Sequence, residues 1–151
     1  MSKEKSIQDL AKWFLAKEPM THKKLQKLCY YAVAWGWALM DKPIVKDGDF
    51  EAWVHGPVSE ILYQKYKDYG WNNIDNSKIK KPEFSNDIEE LLNSVWDTYG
   101  NKDGNELEAL SHSEQPWQEA RVGLKEDDRG NVIIKPETMK AFYKAIYIGD
   151  I

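Results

Sequence analysis

The sequence is poor in several residue types that define common protein classes. Its 151 residues include one cysteine, six prolines and nine glycines. A single thiol, Cys29, cannot form a disulfide within the chain or a cysteine-rich zinc site. So few prolines and glycines exclude a collagen-like or low-complexity chain.

Long hydrophobic stretches are also missing. The longest apolar run, Leu28 to Met40, is shorter than the roughly 18–20 residues that span a bilayer. No apolar signal-peptide segment follows the polar residues Met1 to Lys5. We therefore expect a cytoplasmic protein without a membrane partner.

The motifs of common enzymes are absent from the sequence. It contains no glycine-rich phosphate loop and no His-Glu-x-x-His metal motif. The histidines His22, His55 and His112 are far apart, and none has a histidine three or four residues away. Cys29 lies among apolar residues, as an unreactive buried cysteine does. We predict no catalytic residue, no cofactor and no metal ion, and we interpret His22 as an ordinary surface residue.

Positive charge is scarcer than negative charge. Lys and Arg number 21 and Asp and Glu number 25, which leaves a net charge of −4. A duplex-binding domain usually has a basic face, because neutralisation of phosphates dominates its affinity. The best basic candidates, Lys23, Lys24 and Lys27, form a short run that is typical of solvated surface lysines. Nucleic-acid binding is therefore the less favoured interpretation.

Aromatic residues, by contrast, are abundant: seven Trp, eight Tyr and four Phe. So many aromatic residues exclude a chain that is disordered throughout. Trp13, Trp35 and Trp96 lie near apolar helix faces and are predicted to be in the core. Trp53 and Trp71 lie next to turns, where exposed aromatic side chains often anchor a protein interface.

Hydrophobic periodicity predicts about seven helical segments. Ser6 and Thr21 are candidate N-caps of the first two helices. The second helix, which extends to about Asp41, is apolar on every face, and Gly36 within it predicts close approach by another element. We expect a mainly α fold: one compact domain over residues 1–151, with six to seven helices and a small two- to three-stranded β element.

Three local predictions concern the β element and two helix starts. The segments 44–45 and 50–54 are β-prone, and residues 132–134 are a candidate third strand. Gly56-Pro57 is predicted to open a helix, with proline at its first position. Asn105 followed by Glu108 resembles a capping box at the start of another helix.

Polar groups are concentrated in two connections. His55 lies at a predicted helix start, where free backbone N–H groups often serve function. The connection at residues 110–117 combines serines, His112 and Glu114. Turn formation with local hydrogen bonds, a Ser–His–Glu relay for acyl transfer, and a metal ion held by His55, His112 and a carboxylate all remain open interpretations.

Three segments in a fixed order resemble a known family. They read KLQKLCYYA at 24–32, EAWVHGPV at 51–58 and LSHSEQPW at 110–117. This order is similar to that of the Panacea domain family, a SocA-like antitoxin domain also described as phage-associated and GepA-like. The similarity covers residues 7–147. The sequence departs from the family pattern at Cys29, at His55 and in the shortened stretch 111–113.

The resemblance implies a function that the residue chemistry does not. It implies a prophage- or mobile-element-associated antitoxin, without enzymatic activity, that neutralises a cognate protein toxin by direct contact. The toxin would be encoded by a neighbouring gene, and no separate DNA-binding domain is expected. The alternatives are a small phage-associated regulator that binds a host factor or nucleic acid, and a hydrolase that uses His and Glu.

The motif segments also suggest which residues serve which role. Expected partner-binding residues are Trp53, His55, Pro57, Trp71, His112, Glu114 and Trp117. Residues expected to form the core of the motif are Leu25, Leu28, Tyr31 and Ala32.

Overall fold

The computed structural model describes residues 4–149, which contain seven α-helices and one small antiparallel sheet. The elements are α1 Ile7–Leu15, α2 His22–Met40, β1 Glu51–Trp53, β2 Gly56–Val58, α3 Glu60–Tyr66, a 3-10 turn Lys67–Tyr69, α4 Asn86–Tyr99, α5 Gly104–His112, α6 Gln115–Ala120 and α7 Pro136–Tyr147. The predicted mainly α class is confirmed. Met1–Lys3, which belong to the polar N-terminus where no signal-peptide segment was expected, lie outside the described residues.

Helix α2 is the centre of the fold. The Thr21 hydroxyl accepts a 3.2 Å hydrogen bond from the amide of Lys24 at its start, and Asp41 ends it in the left-handed conformation. It packs against α1, α4, α5 and α7, which explains why it is apolar on all faces. The motif residues Leu25, Leu28, Tyr31 and Ala32 are all fully buried.

The close approach predicted at Gly36 is present. A Cβ atom at this position would lie 2.7 Å from Cγ2 of Ile44. Glycine therefore lets the segment after α2 fold back onto the helix. Ile44 and Val45 are buried there without forming a strand, so the prediction of a β segment at 44–45 was wrong.

The predicted helix start at Gly56-Pro57 was wrong, because these residues form β2. Ala52 pairs with Pro57 and Trp53 with Gly56 in a hairpin with β1. Helix α3 begins after Ser59, whose amide donates a 2.8 Å hydrogen bond to Oε1 of Gln26. Pairing with the neighbouring strand β1, together with the hydrogen bond to the side chain of Gln26, thus overrides the local preference of proline for a helix start.

Residues 132–134 add a partial third strand. The amide of Ala52 donates to the carbonyl of Val132 at 2.9 Å, and the amide of Ile134 donates to the carbonyl of Phe50 at 2.8 Å. Only one bridge, Glu51 to Ile133, accompanies these bonds, so the sheet itself remains two-stranded. Strand β1 is nevertheless hydrogen-bonded on both sides and is held firmly in place.

The capping box of α5 lies two residues before the predicted one. Asp103 accepts from the amide of Glu106, and the Glu106 carboxylate accepts from the amide of Asp103. Asn105 and Glu108 are therefore free to face α2. Within residues 4–149, no helix has both the length and the apolar character needed to cross a membrane.

Candidate functional site

A buried lysine joins the first motif segment to the second. Lys27 is 2% exposed, and its ammonium donates a 3.2 Å hydrogen bond to the carbonyl of Pro57. Gly56 has a φ of +107°, which favours glycine, and a Cβ there would lie 2.7 Å from Cε of Lys27 where the hairpin crosses the lysine. Burial, together with the charge of the nearby Lys23, lowers the pKa of Lys27 to about 7, and Glu108 opposes this shift.

A buried carboxylate joins the first motif segment to the third. Oε1 of Glu114 accepts hydrogen bonds from the hydroxyl of Tyr31 at 2.7 Å and from the hydroxyl of Tyr143 at 2.8 Å. Burial raises the pKa of Glu114, and the two hydroxyls oppose that rise. The sequence suggested Glu114 as a partner-binding residue, but its carboxylate lies inside the fold, where it links α2 to α7.

An indole joins the third motif segment to the second. Nε1 of Trp117 donates a 2.8 Å hydrogen bond to the carbonyl of Trp53. The ring of His112 stacks on Trp117 with centroids 3.9 Å apart, and burial lowers the pKa of His112. Each pair of motif segments is thus connected by a hydrogen bond. The three segments form one structural unit although they are distant in sequence.

An open cavity of about 400 Å³ lies beside this unit. We call it the aromatic groove. Helix α2 provides one side, the β1–β2 hairpin a second, and the segment from α3 to Trp71 a third. Its lining residues are His22, Lys23, Gln26, Lys27, Trp53, His55, Val58, Tyr63, Lys67, Gly70 and Trp71.

The groove brings together three of the seven predicted partner-binding residues. Trp53, His55 and Trp71 line it, whereas His112 and Trp117 lie behind the hairpin and Pro57 is buried in β2. Sequence reasoning missed the α2 residues of the lining. Their positions 22, 23, 26 and 27 follow helical spacing, so a polar stripe on an otherwise apolar helix was the available signal.

Two tryptophans form the apolar part of the groove. Trp71 is 81% exposed, and the ammonium of Lys23 lies 5.9 Å from its ring centroid. Trp53 is half-buried, packs against Tyr63 at 4.9 Å between centroids, and carries the guanidinium of Arg129 at 3.9 Å from its ring. Trp53 is therefore preorganised, whereas Trp71 presents most of its surface to solvent.

An ion pair closes one edge of the groove. Nδ1 of His55 lies 3.2 Å from Oε2 of Glu108, and the ammonium of Lys23 pairs with the same carboxylate. Although burial disfavours the charged form, hydrogen bonds with Lys23 and His55 lower the pKa of Glu108. The Lys23 ammonium also donates a 2.9 Å hydrogen bond to Asn105.

Two interpretations of the basic residues were wrong. His22 is buried rather than on the surface; its Nε2 lies 3.1 Å from Nε2 of Gln26, and burial lowers its pKa to about 4. Of the lysines read as solvated, Lys27 is buried, and Lys24 donates a 2.6 Å hydrogen bond to the carbonyl of Gly100. Because Lys23 pairs with Glu108, these lysines do not form a free basic patch.

The groups of the hypothesised Ser–His–Glu relay bond elsewhere. The hydroxyl of Ser111 donates to the carbonyl of Glu108 at 3.0 Å, and that of Ser113 donates to the carbonyl of Leu110 at 2.6 Å. Glu114 is occupied by the two tyrosines. In the part of the chain that the structure describes, no group of three or more His, Cys, Asp or Glu side chains is placed to hold a metal ion.

Comparison with known proteins assigns the chain to a family. The family model described as "Antitoxin SocA-like, Panacea domain" matches residues 25–118. This span is more than half of the chain and includes nearly all of the three motif segments. The chain belongs to the Panacea family. The hydrogen bonds among the motif segments give the Panacea pattern a structural basis, because each segment holds the other two in place.

A curated relative supports the same assignment. Antitoxin SocA of Caulobacter vibrioides (strain NA1000 / CB15N) is 37% identical over 113 residues, which cover 66% of this chain and 58% of that protein. The Panacea chain described here thus spans less than two thirds of the length of this relative. No solved structure matches it.

Proposed function

We propose that this protein is an antitoxin that neutralises a protein toxin by binding it directly. Membership of the Panacea family carries this proposal. The similarity to antitoxin SocA supports it. We further propose that the protein acts in the cytoplasm without enzymatic activity, and that its toxin is encoded by a neighbouring gene on a prophage or other mobile element.

The aromatic groove is the proposed toxin-binding surface. It exposes Trp71 beside the half-buried Trp53, and tryptophan is enriched among residues that dominate binding energy. The hydrogen-bonded contact of His55 with Glu108 provides a polar edge, as the rim of a protein interface does. Of the expected partner-binding residues, we retain Trp53, His55 and Trp71 as direct contacts.

The remaining expected contacts have a supporting role in this proposal. Pro57 and Glu114 are buried, and His112 and Trp117 stack on each other behind the hairpin. The hydrogen bonds of Pro57 with Lys27 and of Trp117 with the carbonyl of Trp53 position the hairpin, and those of Glu114 hold α2 and α7 beside it. Substitutions at these four positions therefore affect binding through the stability or the placement of the hairpin.

Co-expression tests the proposed function. Each gene adjacent to the one encoding this chain is induced alone and together with this gene, and growth is followed. We expect one neighbour to arrest growth, co-expression to restore it, and the two proteins to co-elute from a size-exclusion column. Absence of any toxic neighbour contradicts the antitoxin role.

A second comparison separates direct binding from indirect rescue. The toxic neighbour is co-expressed with the wild-type chain, with Trp71→Ala, or with Tyr147→Ala, which alters an exposed aromatic residue that does not line the groove. We expect Trp71→Ala to lose rescue and co-elution together, and Tyr147→Ala to retain both. Rescue without any complex would contradict neutralisation by binding.

A further inference from the structure

The charge of the aromatic groove differs in sign from that of the whole chain. The chain carries a net charge of −4, yet the groove lining includes Lys23, Lys27 and Lys67 and no Asp or Glu. Two carboxylates that contact lining residues are already engaged: Glu108 pairs with Lys23 and His55, and Glu51 accepts a 2.9 Å hydrogen bond from Nε1 of Trp53. Because Glu108 offsets the charge of Lys23, the positive charge of the groove comes from Lys67 and from the protonated form of Lys27.

Two of the lining lysines have hydrogen-bonding capacity to spare. An ammonium group has three donors, and across residues 4–149 the carbonyl of Pro57 is the one hydrogen-bond acceptor of Lys27. Lys67 is exposed at the mouth of the groove, and no carboxylate of the described residues lies within 4.0 Å of its ammonium. A carboxylate placed beside Lys27 and Lys67 would accept hydrogen bonds from their unused donors and would favour the charged form of Lys27.

The walls of the groove are aromatic. Trp53, Tyr63 and Trp71 surround the lysines, and the cavity of about 400 Å³ accommodates a large side chain together with part of the adjoining backbone. A free inorganic anion would leave these rings uncovered. An occupant that presents a carboxylate beside an aromatic or aliphatic side chain would match both the charge and the apolar surface.

We infer that the aromatic groove binds a segment of the partner protein in which an Asp or Glu stands next to a large apolar residue. This inference rests on the proposed function, because the partner is the toxin. The carboxylate is placed toward Lys67 and Lys27, and the apolar side chain packs between Trp53 and Trp71. Electrostatic attraction of this kind contributes to specificity and to the rate of association.

Matched charge reversals test the inference on the complex. Lys67→Glu alters a lining lysine, and Lys65→Glu makes the same charge change on an exposed lysine of α3 that does not line the groove. Calorimetric titration with the purified neighbouring-gene product should show affinity reduced about tenfold or more by Lys67→Glu and changed less than about threefold by Lys65→Glu. Equal losses for the two variants would overturn the inference and leave the antitoxin role standing.

A charge swap extends this test to the partner. Each Asp and Glu on the toxin surface is replaced by Lys, and the variants are titrated with wild-type and Lys67→Glu chains. We expect one such replacement to weaken binding to the wild type and to restore binding to Lys67→Glu. If no replacement restores binding, the proposed carboxylate contact is wrong.

A short peptide tests the groove without the toxin. The probe is acetyl-Asp-Phe-amide, and its neutral control is acetyl-Asn-Phe-amide. In ¹H–¹⁵N spectra of the wild-type protein, we expect the Asp peptide to shift the indole resonances of Trp53 and Trp71, and the Asn peptide to shift them at least several-fold less at equal concentration. Equal shifts, or none from the Asp peptide, overturn the inference even where co-expression rescue succeeds.

Discussion

The ammonium of Lys27 lies inside the protein and donates a 3.2 Å hydrogen bond to the carbonyl oxygen of Pro57. This contact connects the central helix to the hairpin that forms one wall of the groove. It also places a positive charge where burial disfavours it, so that the pKa falls to about 7. The same residue therefore orders the groove and gives it a measurable pH dependence.

The first prediction concerns the stability contributed by Lys27 as a function of pH. Its pKa is about 7 when folded and near 10.5 when unfolded, so between these values the unfolded chain binds more protons. The free energy of unfolding of the wild type, relative to that of Lys27→Met, should therefore rise by about 2–3 kcal/mol between pH 7 and pH 9. Urea unfolding of both proteins at each pH measures this difference.

A surface lysine provides the control for that measurement. Lys65 is exposed, so the stability difference between the wild type and Lys65→Met should stay constant over the same pH range. If the Lys27→Met difference were equally constant, the lysine would have a normal pKa in the folded protein and the burial argument would be wrong.

The second prediction concerns His22, whose titration acts on the acid side. Burial lowers its pKa from 6.5 to about 4, so the unfolded chain binds the proton first as the pH falls. The stability of the wild type relative to His22→Leu should therefore fall between pH 6.5 and pH 4. We expect a fall of about 1–2 kcal/mol, less than the full pKa difference implies, because part of the ring lines the open groove and is screened by water. Chemical unfolding across this range measures the loss, and a flat difference would show that the imidazole is solvated.

The third prediction separates a structural from a partner-binding role for Glu114. Glu114→Ala leaves the hydroxyls of Tyr31 and Tyr143 without their acceptor, and we expect a loss of about 2–4 kcal/mol in the free energy of unfolding. Glu114→Gln keeps an acceptor oxygen and should lose less than half as much. If both variants were as stable as the wild type and failed to bind the toxin, Glu114 would be a contact residue.

The fourth prediction concerns the exposed tryptophan. Trp71 is 81% exposed, so Trp71→Ala should change the free energy of unfolding by no more than about 0.5 kcal/mol. It should nevertheless weaken toxin binding by about 2 kcal/mol, because an exposed tryptophan that becomes buried in an interface is a typical hot spot. Thermal unfolding and titration with the toxin provide the two values.

Tyr147 supplies the matched comparison for Trp71. It is 67% exposed on α7 and does not line the groove. Tyr147→Ala should leave the affinity for the toxin within about twofold of the wild type. Similar losses for both variants would indicate that the toxin covers a different or much larger surface.

Local signals in the sequence were sufficient for most helices. Ser6 and Thr21, each before an apolar stretch, predicted the starts of α1 and α2. Gly36 indicated a close contact that Ile44 makes. These features depend on caps, periodicity and backbone freedom within a few residues, so they can be read without knowing the rest of the fold.

The groove was only partly predictable. Trp53, His55 and Trp71 were identified because they lie at turns near the motif segments. The burial of Lys27 and His22 was missed, since whether a polar residue of a helix faces solvent depends on which other elements cover it. The role of Glu114 was missed for the same reason, because Tyr143 approaches it from a helix far along the chain.

The sequence by itself determined a helical protein with one apolar central helix and three motif segments in order. Only the tertiary structure decided that Gly56-Pro57 forms a strand, that the motif segments hydrogen-bond to one another, and that lysines line an aromatic groove. The physical reason is range: caps and hydrophobic periodicity act within one element, whereas strand pairing and the burial of charged groups depend on partners that only folding brings together.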